Sequence, residues 1–163
     1  VRQNDKKEIE MNLLFLDFDG VLHPFFPKRE LPDEENQLFS YLPRLENVLR
    51  DYADLKIVIA SSWRENRPWA NVIKAFSPDI AARIIGATPV LKAKEPPYPK
   101  HPRHDEVLAY LKNNNLTASH WIALDDDANL YPTNCHNLIL CADGFRDAEE
   151  NTLRTTLGGR RTS

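Results

Sequence analysis

Apolar residues in this chain follow two rhythms. Met11 to Leu16, Lys56 to Ala60, Trp121 to Leu124 and Leu138 to Leu140 are short, nearly unbroken apolar runs, and a β-branched stretch lies around Arg83 to Gly86. Runs of that length and continuity predict strands buried on both faces. Between them Leu38, Tyr41, Leu42, Leu45, Val48, Leu49 and Tyr52 recur at helical spacing. Pro68 to Phe76 reads as a second helix, His104 to Asn113 carries Val107, Leu108 and Leu111 on one face, and a last helix is expected from about Ala148 to Leu157. Strands alternating with helices predict the α/β class: a Rossmann-like three-layer α/β/α sandwich with a mostly parallel central sheet.

Polar punctuation divides the chain. Residues 1–10 form a polar N-terminal segment, proline and charge crowd His23 to Asp33, and Lys94 to Pro102 is a proline-rich loop expected to cross the surface. The folded domain is therefore placed at residues 11–157, followed by a frayed tail at residues 158–163. The full length of 163 residues fits one domain by the rule of roughly 150 residues each. No apolar run approaches the roughly 20 residues that span a bilayer, and residues 1–10 lack the apolar stretch of a secretory signal, so a soluble, cytoplasmic protein without a membrane partner is expected. The net charge of −3 argues against clamping nucleic acid through bulk positive charge, although a local basic groove is compatible with it. The 2 cysteines, Cys135 and Cys141, are too few for a disulfide scaffold and lack metal-ligand spacing, so reduced thiols in or near the core are expected.

Ligands of an open parallel sheet bind beyond the carboxyl ends of its strands, where the loops gather. Three predicted strand ends are polar: Asp17 and Asp19, then Ser61 and Ser62, then Asp125, Asp126 and Asp127. Taken singly, each has a plain structural reading as a turn, an N-cap pair or a solvated strand end. Taken together, they bring several carboxylates to one crevice, where mutual repulsion calls for a cation. An all-oxygen donor set with room for water and a phosphate oxygen suits Mg²⁺.

Leu14-Phe15-Leu16-Asp17-Phe18-Asp19-Gly20-Val21-Leu22 resembles the first motif of the haloacid dehalogenase-like superfamily of phosphohydrolases, hhhDxDGhh. Ile57 to Ser61 is similar to its second motif, and Ile122 to Asp126 to its fourth. The resemblance runs from about residue 12 to residue 145. Within the superfamily, Asp-x-Asp-Gly-Val-Leu-His-Pro with Ser-Ser-Trp-Arg and Leu-Asp-Asp most resembles the small domains of multidomain bacterial RNA-repair proteins.

The resemblance implies a Mg²⁺-dependent phosphatase that hydrolyses a phosphomonoester through an aspartyl-phosphate. Asp17 is implied as nucleophile and Asp19 as general acid and base. Ser61, with Ser62 beside it, is implied to bind the phosphoryl group. Asp17, the main-chain carbonyl of Asp19, Asp125 and Asp126 are the implied metal ligands. Asp127 is a candidate outer partner, or a helix N-cap. The family's third motif supplies a cation; Lys100 and Arg103 both qualify, and spacing does not separate them. His23, Trp63 and Arg64 are candidates for substrate contact, with packing and ion pairing as the competing readings, and Trp69 belongs with them. His101 and His104, which flank the third motif, are expected to face solvent.

The second aspartate of the first motif favours phosphoryl chemistry over dehalogenation, because displacing a halide needs no acid. The stretches between Asp19 and Ser61 and between Arg64 and Lys100 are mostly used up by predicted helices and strands, so no sizeable cap domain is expected. An open cleft admits a small phosphorylated metabolite, or equally the phosphate on an RNA or DNA end or on a protein. The alternatives are a phosphotransferase or phosphomutase on the same site, or a catalytically silent binding domain.

Overall fold

A computed structural model describes residues 7–160. Its centre is a five-stranded sheet of β1 (Asn12–Leu16), β2 (Leu55–Ile59), β3 (Ile84–Ala87), β4 (His120–Asp125) and β5 (Leu138–Leu140), in the order β3-β2-β1-β4-β5. Every neighbouring pair is parallel. In the central strand Leu14 stands opposite both Ile57 and Ile122.

Helices α1 (Leu42–Asp51) and α6 (Asp147–Arg160) pack together on one face, and α5 (Pro102–Asn113) covers the other. The period-two alternation of β1 explains the division. Leu14 and Leu16 enter the core beneath α1 and α6, while Leu13 and Phe15 enter the second core with Val107, Tyr110 and Leu111 of α5. All four are fully buried, and the Phe15 ring meets the edges or faces of Tyr110 and Trp121 at 5.8 and 5.7 Å between centroids.

The helix read from Pro68 to Phe76 is shorter, α3 (Trp69–Ile73), and is flanked by two further short helices, α2 (Trp63–Asn66) and α4 (Pro78–Ala81). Pro68 and Pro78 explain the division, because a proline cannot donate to the preceding turn and is tolerated only at a helix start. For the same reason α5 begins at Pro102, two residues earlier than expected. The last helix continues through Gly158 and Gly159 to Arg160, so the fraying expected from residue 158 does not begin there; residues 161–163 lie outside the described residues. Residues 17–41 and 88–101 are loops without a long helix or strand, so no sizeable cap covers the strand ends. Among the described residues no helix is long and apolar enough to cross a membrane. Cys135 and Cys141 are free thiols, half-buried and buried.

Candidate active site

The sheet order sets β2, β1 and β4 side by side, so their carboxyl ends deliver Ser61, Asp17 and Asp125 to one place. Main-chain bonds extend the ladder past the strands: Asp17 N–H donates to the Leu124 carbonyl at 3.1 Å and Ala60 N–H to that of Leu16 at 2.9 Å. Beyond β1 the chain turns sharply, with Val21 and Leu22 N–H both donating to the Phe18 carbonyl. Gly20 holds φ +80° in this turn, and a Cβ there would run into the Asp126 carboxylate. Glycine is thus required twice, for its backbone conformation and for the space that Asp126 occupies.

Carboxylate oxygens of Asp17, Asp125 and Asp126 all lie within 4.8 Å of one another. Burial, then the charge of Asp125, drives the Asp17 carboxyl well above the usual carboxylate range, with Arg103 opposing the shift. Asp125 is pushed up to about 6, chiefly by burial, although the Asp127 N–H and the Arg103 charge pull it down. Burial also raises Asp126. Three crowded hard oxygen donors that resist joint ionisation are a donor set that a hard divalent cation satisfies.

The Asp19 side chain is not part of this cluster. Trp63 Nε1–H donates to its two oxygens at 3.1 and 3.2 Å, and His23 Nε2 lies 2.8 Å from Oδ1. Phe39 N–H donates to His23 Nδ1 at 3.1 Å, so Nε2 is the nitrogen left to donate to Asp19. His23 and Trp63 are both buried; the structure makes them holders of Asp19 rather than an open substrate surface. Ser61 is buried at the cleft floor and accepts from Trp63 N–H at 3.2 Å, which leaves its hydroxyl hydrogen to donate. Ser62 is exposed, at the N-cap of α2, with no side-chain capping bond.

Arg103, in the first turn of α5, reaches the cluster: its Nε stands 3.7 Å from Asp125 Oδ2, buried and without a hydrogen-bond partner. Lys100 is exposed in the loop ahead of the helix. Arg64 is turned inward. Its side chain is 4% exposed, and its guanidinium donates to the carbonyls of Ser61, Thr88 and Pro89 and to Glu106 Oε2 at 2.8 Å. Asp127 caps the short 3-10 turn Ala128–Leu130 by accepting from Asn129 N–H, as its N-cap reading expects. His101 and His104 are half-buried rather than solvent-facing; His104 packs against Trp121 and Tyr131. Trp69 is 43% exposed.

Two contributors escaped the sequence. Glu106 is buried and joins Arg64 to Arg103, accepting from Arg103 Nη1 at 3.1 Å and from Leu91 N–H at 3.1 Å. Its spacing of three from Arg103 resembles an ordinary surface ion pair, and only the fold reveals its burial. Tyr131, whose hydroxyl lies 3.5 Å from Asp125 Oδ2, left no signal beyond a lone aromatic in a polar loop.

A family model described as the HAD domain in Swiss Army Knife RNA repair proteins matches residues 13–149. No curated protein and no solved structure matches the chain.

Proposed function

The chain belongs to the family of HAD domains in Swiss Army Knife RNA repair proteins, a HAD-type phosphohydrolase in general class, and from that premise we propose that it is a phosphatase acting on a phosphomonoester at a nucleic-acid end. The observation that carries the reading is the convergence of Asp17, Asp125 and Asp126 within 4.8 Å at the carboxyl edge of the parallel sheet, between Ser61 and Arg103.

Asp17, Asp125 and Asp126, with the main-chain carbonyl of Asp19, would hold Mg²⁺. When bound, the ion offsets the repulsion among the carboxylates and part of the charge on the phosphoryl oxygens. The Asp17 carboxylate attacks phosphorus, forming a P–O bond as the bond to the leaving oxygen breaks. Asp19 gives that oxygen its proton. It then takes a proton from the water that attacks the aspartyl-phosphate, so that inorganic phosphate leaves and Asp17 is regenerated. Ser61 donates its hydroxyl hydrogen to a phosphoryl oxygen, and Arg103 supplies the positive charge of the third motif through its unpartnered Nε–H. His23 and Trp63 keep the Asp19 carboxylate at a fixed place beside the cleft.

Phosphate release tests the proposal, measured on an aryl phosphate and on 3′- and 5′-phosphorylated oligonucleotides, with Mg²⁺ or chelator, for wild type and Asp17→Asn. Release that requires both Mg²⁺ and Asp17 is expected. Release that survives Asp17→Asn would remove the nucleophile assignment, and phosphoryl transfer to an acceptor with little free phosphate would identify a transferase.

A further inference from the structure

Large apolar side chains stand in solvent on the two segments that bring His23 to Asp19. Phe25 is 59% exposed, Phe26 71% and Leu38 65%. The two phenylalanine rings meet at 4.7 Å between centroids, inclined at 72°, between Pro24 and Pro27. Phe25 follows His23 by two residues, which limits their Cα separation to about 7 Å. Leu38 precedes Phe39, whose N–H bonds His23. The exposed Arg67 lays its guanidinium 3.7 Å from the centre of the Trp63 ring, the same ring whose Nε1–H holds Asp19. The aromatic pair is thus tied through His23, and the cation through Trp63, to the carboxylate assigned to the leaving oxygen.

The body of the leaving group must lie where Asp19 can reach its oxygen, so the segments that hold Asp19 are the nearest candidates to meet it. Exposed aromatic rings, with an arginine on the tryptophan that holds the same carboxylate, suit a planar ring joined to anionic linkages. Glu30, Asp33 and Glu34 in the same loop, together with the net charge of −3, oppose a long polyanion track. A short contact that gains its free energy mainly from stacking meets both conditions. It also requires unpaired bases, because a duplex buries its base faces against one another.

Resting on the phosphatase reading above, we propose that Phe25 and Phe26, with Arg67, form a stacking site for the last one or two bases of a single-stranded nucleic-acid end whose terminal phosphate is hydrolysed at Asp17.

Fluorescence anisotropy of a labelled, terminally phosphorylated single-stranded hexanucleotide, titrated with the full chain carrying Asp17→Asn in Mg²⁺, tests this site without turnover. Adding Phe25→Ala and Phe26→Ala is expected to weaken binding about ten- to a hundredfold. Phe25→Leu with Phe26→Leu, which keeps apolar area but removes the rings, is expected to recover only a minor part. A shallow salt dependence, a slope of about −0.7 per phosphate contacted, is expected for so short a contact. Circular dichroism checks that each variant is folded. Equal affinity with and without the phenylalanines overturns the proposal, as does full recovery by leucine, or equally Phe-dependent binding of a phosphorylated peptide or of a blunt duplex. Oligonucleotide phosphate release by the wild-type chain is read in parallel. Its absence would remove the phosphatase reading, while the anisotropy comparison still decides whether the stacking site exists.

Discussion

Glu106 shows how a single buried carboxylate can serve a site it does not enter. One oxygen takes Arg64 Nη2 and the Leu91 N–H, the other takes Arg103 Nη1, so α2, the loop after β3 and the start of α5 meet on one group. Truncation to alanine would take the hydrogen-bonded counter-charge from two largely buried guanidinium groups and leave them only the longer contacts to Glu65 and Asp125, and breaking a buried pair in this way typically costs about 3–5 kcal/mol. Glu106→Ala is therefore expected to lower the urea midpoint sharply. Glu106→Gln keeps the shape but removes the charge, and is expected to retain fold while lowering kcat for aryl phosphate more than it raises KM, because Arg103 loses its anchor. An unchanged kcat in a folded Glu106→Gln protein would separate Arg103's position from this carboxylate. At this scale the sequence was legible where chemistry has a fixed spacing: Asp17, Asp125 and Asp126 converge as the motifs imply. It was illegible where a role depends on which way a long side chain turns. Arg64 and Arg103 are both arginines near motif residues, yet one ties loops together from inside and the other faces the acidic cluster.

Strands were readable because burial on both faces leaves continuous apolar runs, and β5 falls at the residues its Leu-Ile-Leu run indicates. Helices between β2 and β3 were not, since each short segment there owes its limits to proline and to tertiary support rather than to apolar periodicity. Arg83 supplies part of that support. It stands just ahead of β3 and donates to the carbonyls of Leu49, Tyr52 and Leu55 at 2.6 to 3.0 Å, closing the C-terminal end of α1 and its turn into β2. A helix end leaves its last carbonyls without partners inside the helix, and Arg83 satisfies them while half-buried itself. Arg83→Ala is expected to cost about 2–3 kcal/mol, as charge-assisted bonds are lost and carbonyls are left unpaired. Arg83→Lys is expected to recover less than half, because an ammonium cannot reproduce the planar fork. Chemical denaturation of the two variants checks the order. Equal midpoints for wild type and Arg83→Ala would mean that water caps α1 as well as the guanidinium does.

Across the whole molecule, the acidic cluster ties stability to pH and to metal. Asp17, Asp125 and Asp126 are all raised above the roughly 4 of an unfolded carboxyl, Asp125 to about 6. Between those values the native chain holds more protons than the unfolded chain, so stability without metal falls as pH rises through about 4 to 7. For Asp125 alone the loss is of order 3 kcal/mol once the native carboxyl is ionised. Glu65, Asp79 and Glu150 act in the opposite sense, being lowered by Lys92, Arg50 and Arg154, but they act below about pH 4 and are too exposed to contribute much. The metal-free chain is therefore expected to melt at a higher temperature at pH 5 than at pH 8. On the proposed reading Mg²⁺ would bind the ionised cluster of the native state alone, so saturating metal is expected to raise the melting temperature most at pH 8 and to shrink or reverse the difference. Asp125→Asn removes a destabilising charge together with a ligand. It is expected to be more stable than wild type at pH 8 in chelator and to gain little from Mg²⁺. Scanning calorimetry of both proteins at the two pH values, with and without Mg²⁺, checks each sign. A metal-free wild type that grows more stable from pH 5 to pH 8 would show that burial and mutual repulsion do not hold the three carboxyls protonated in the folded chain, and would remove the physical reason for a cation at this site.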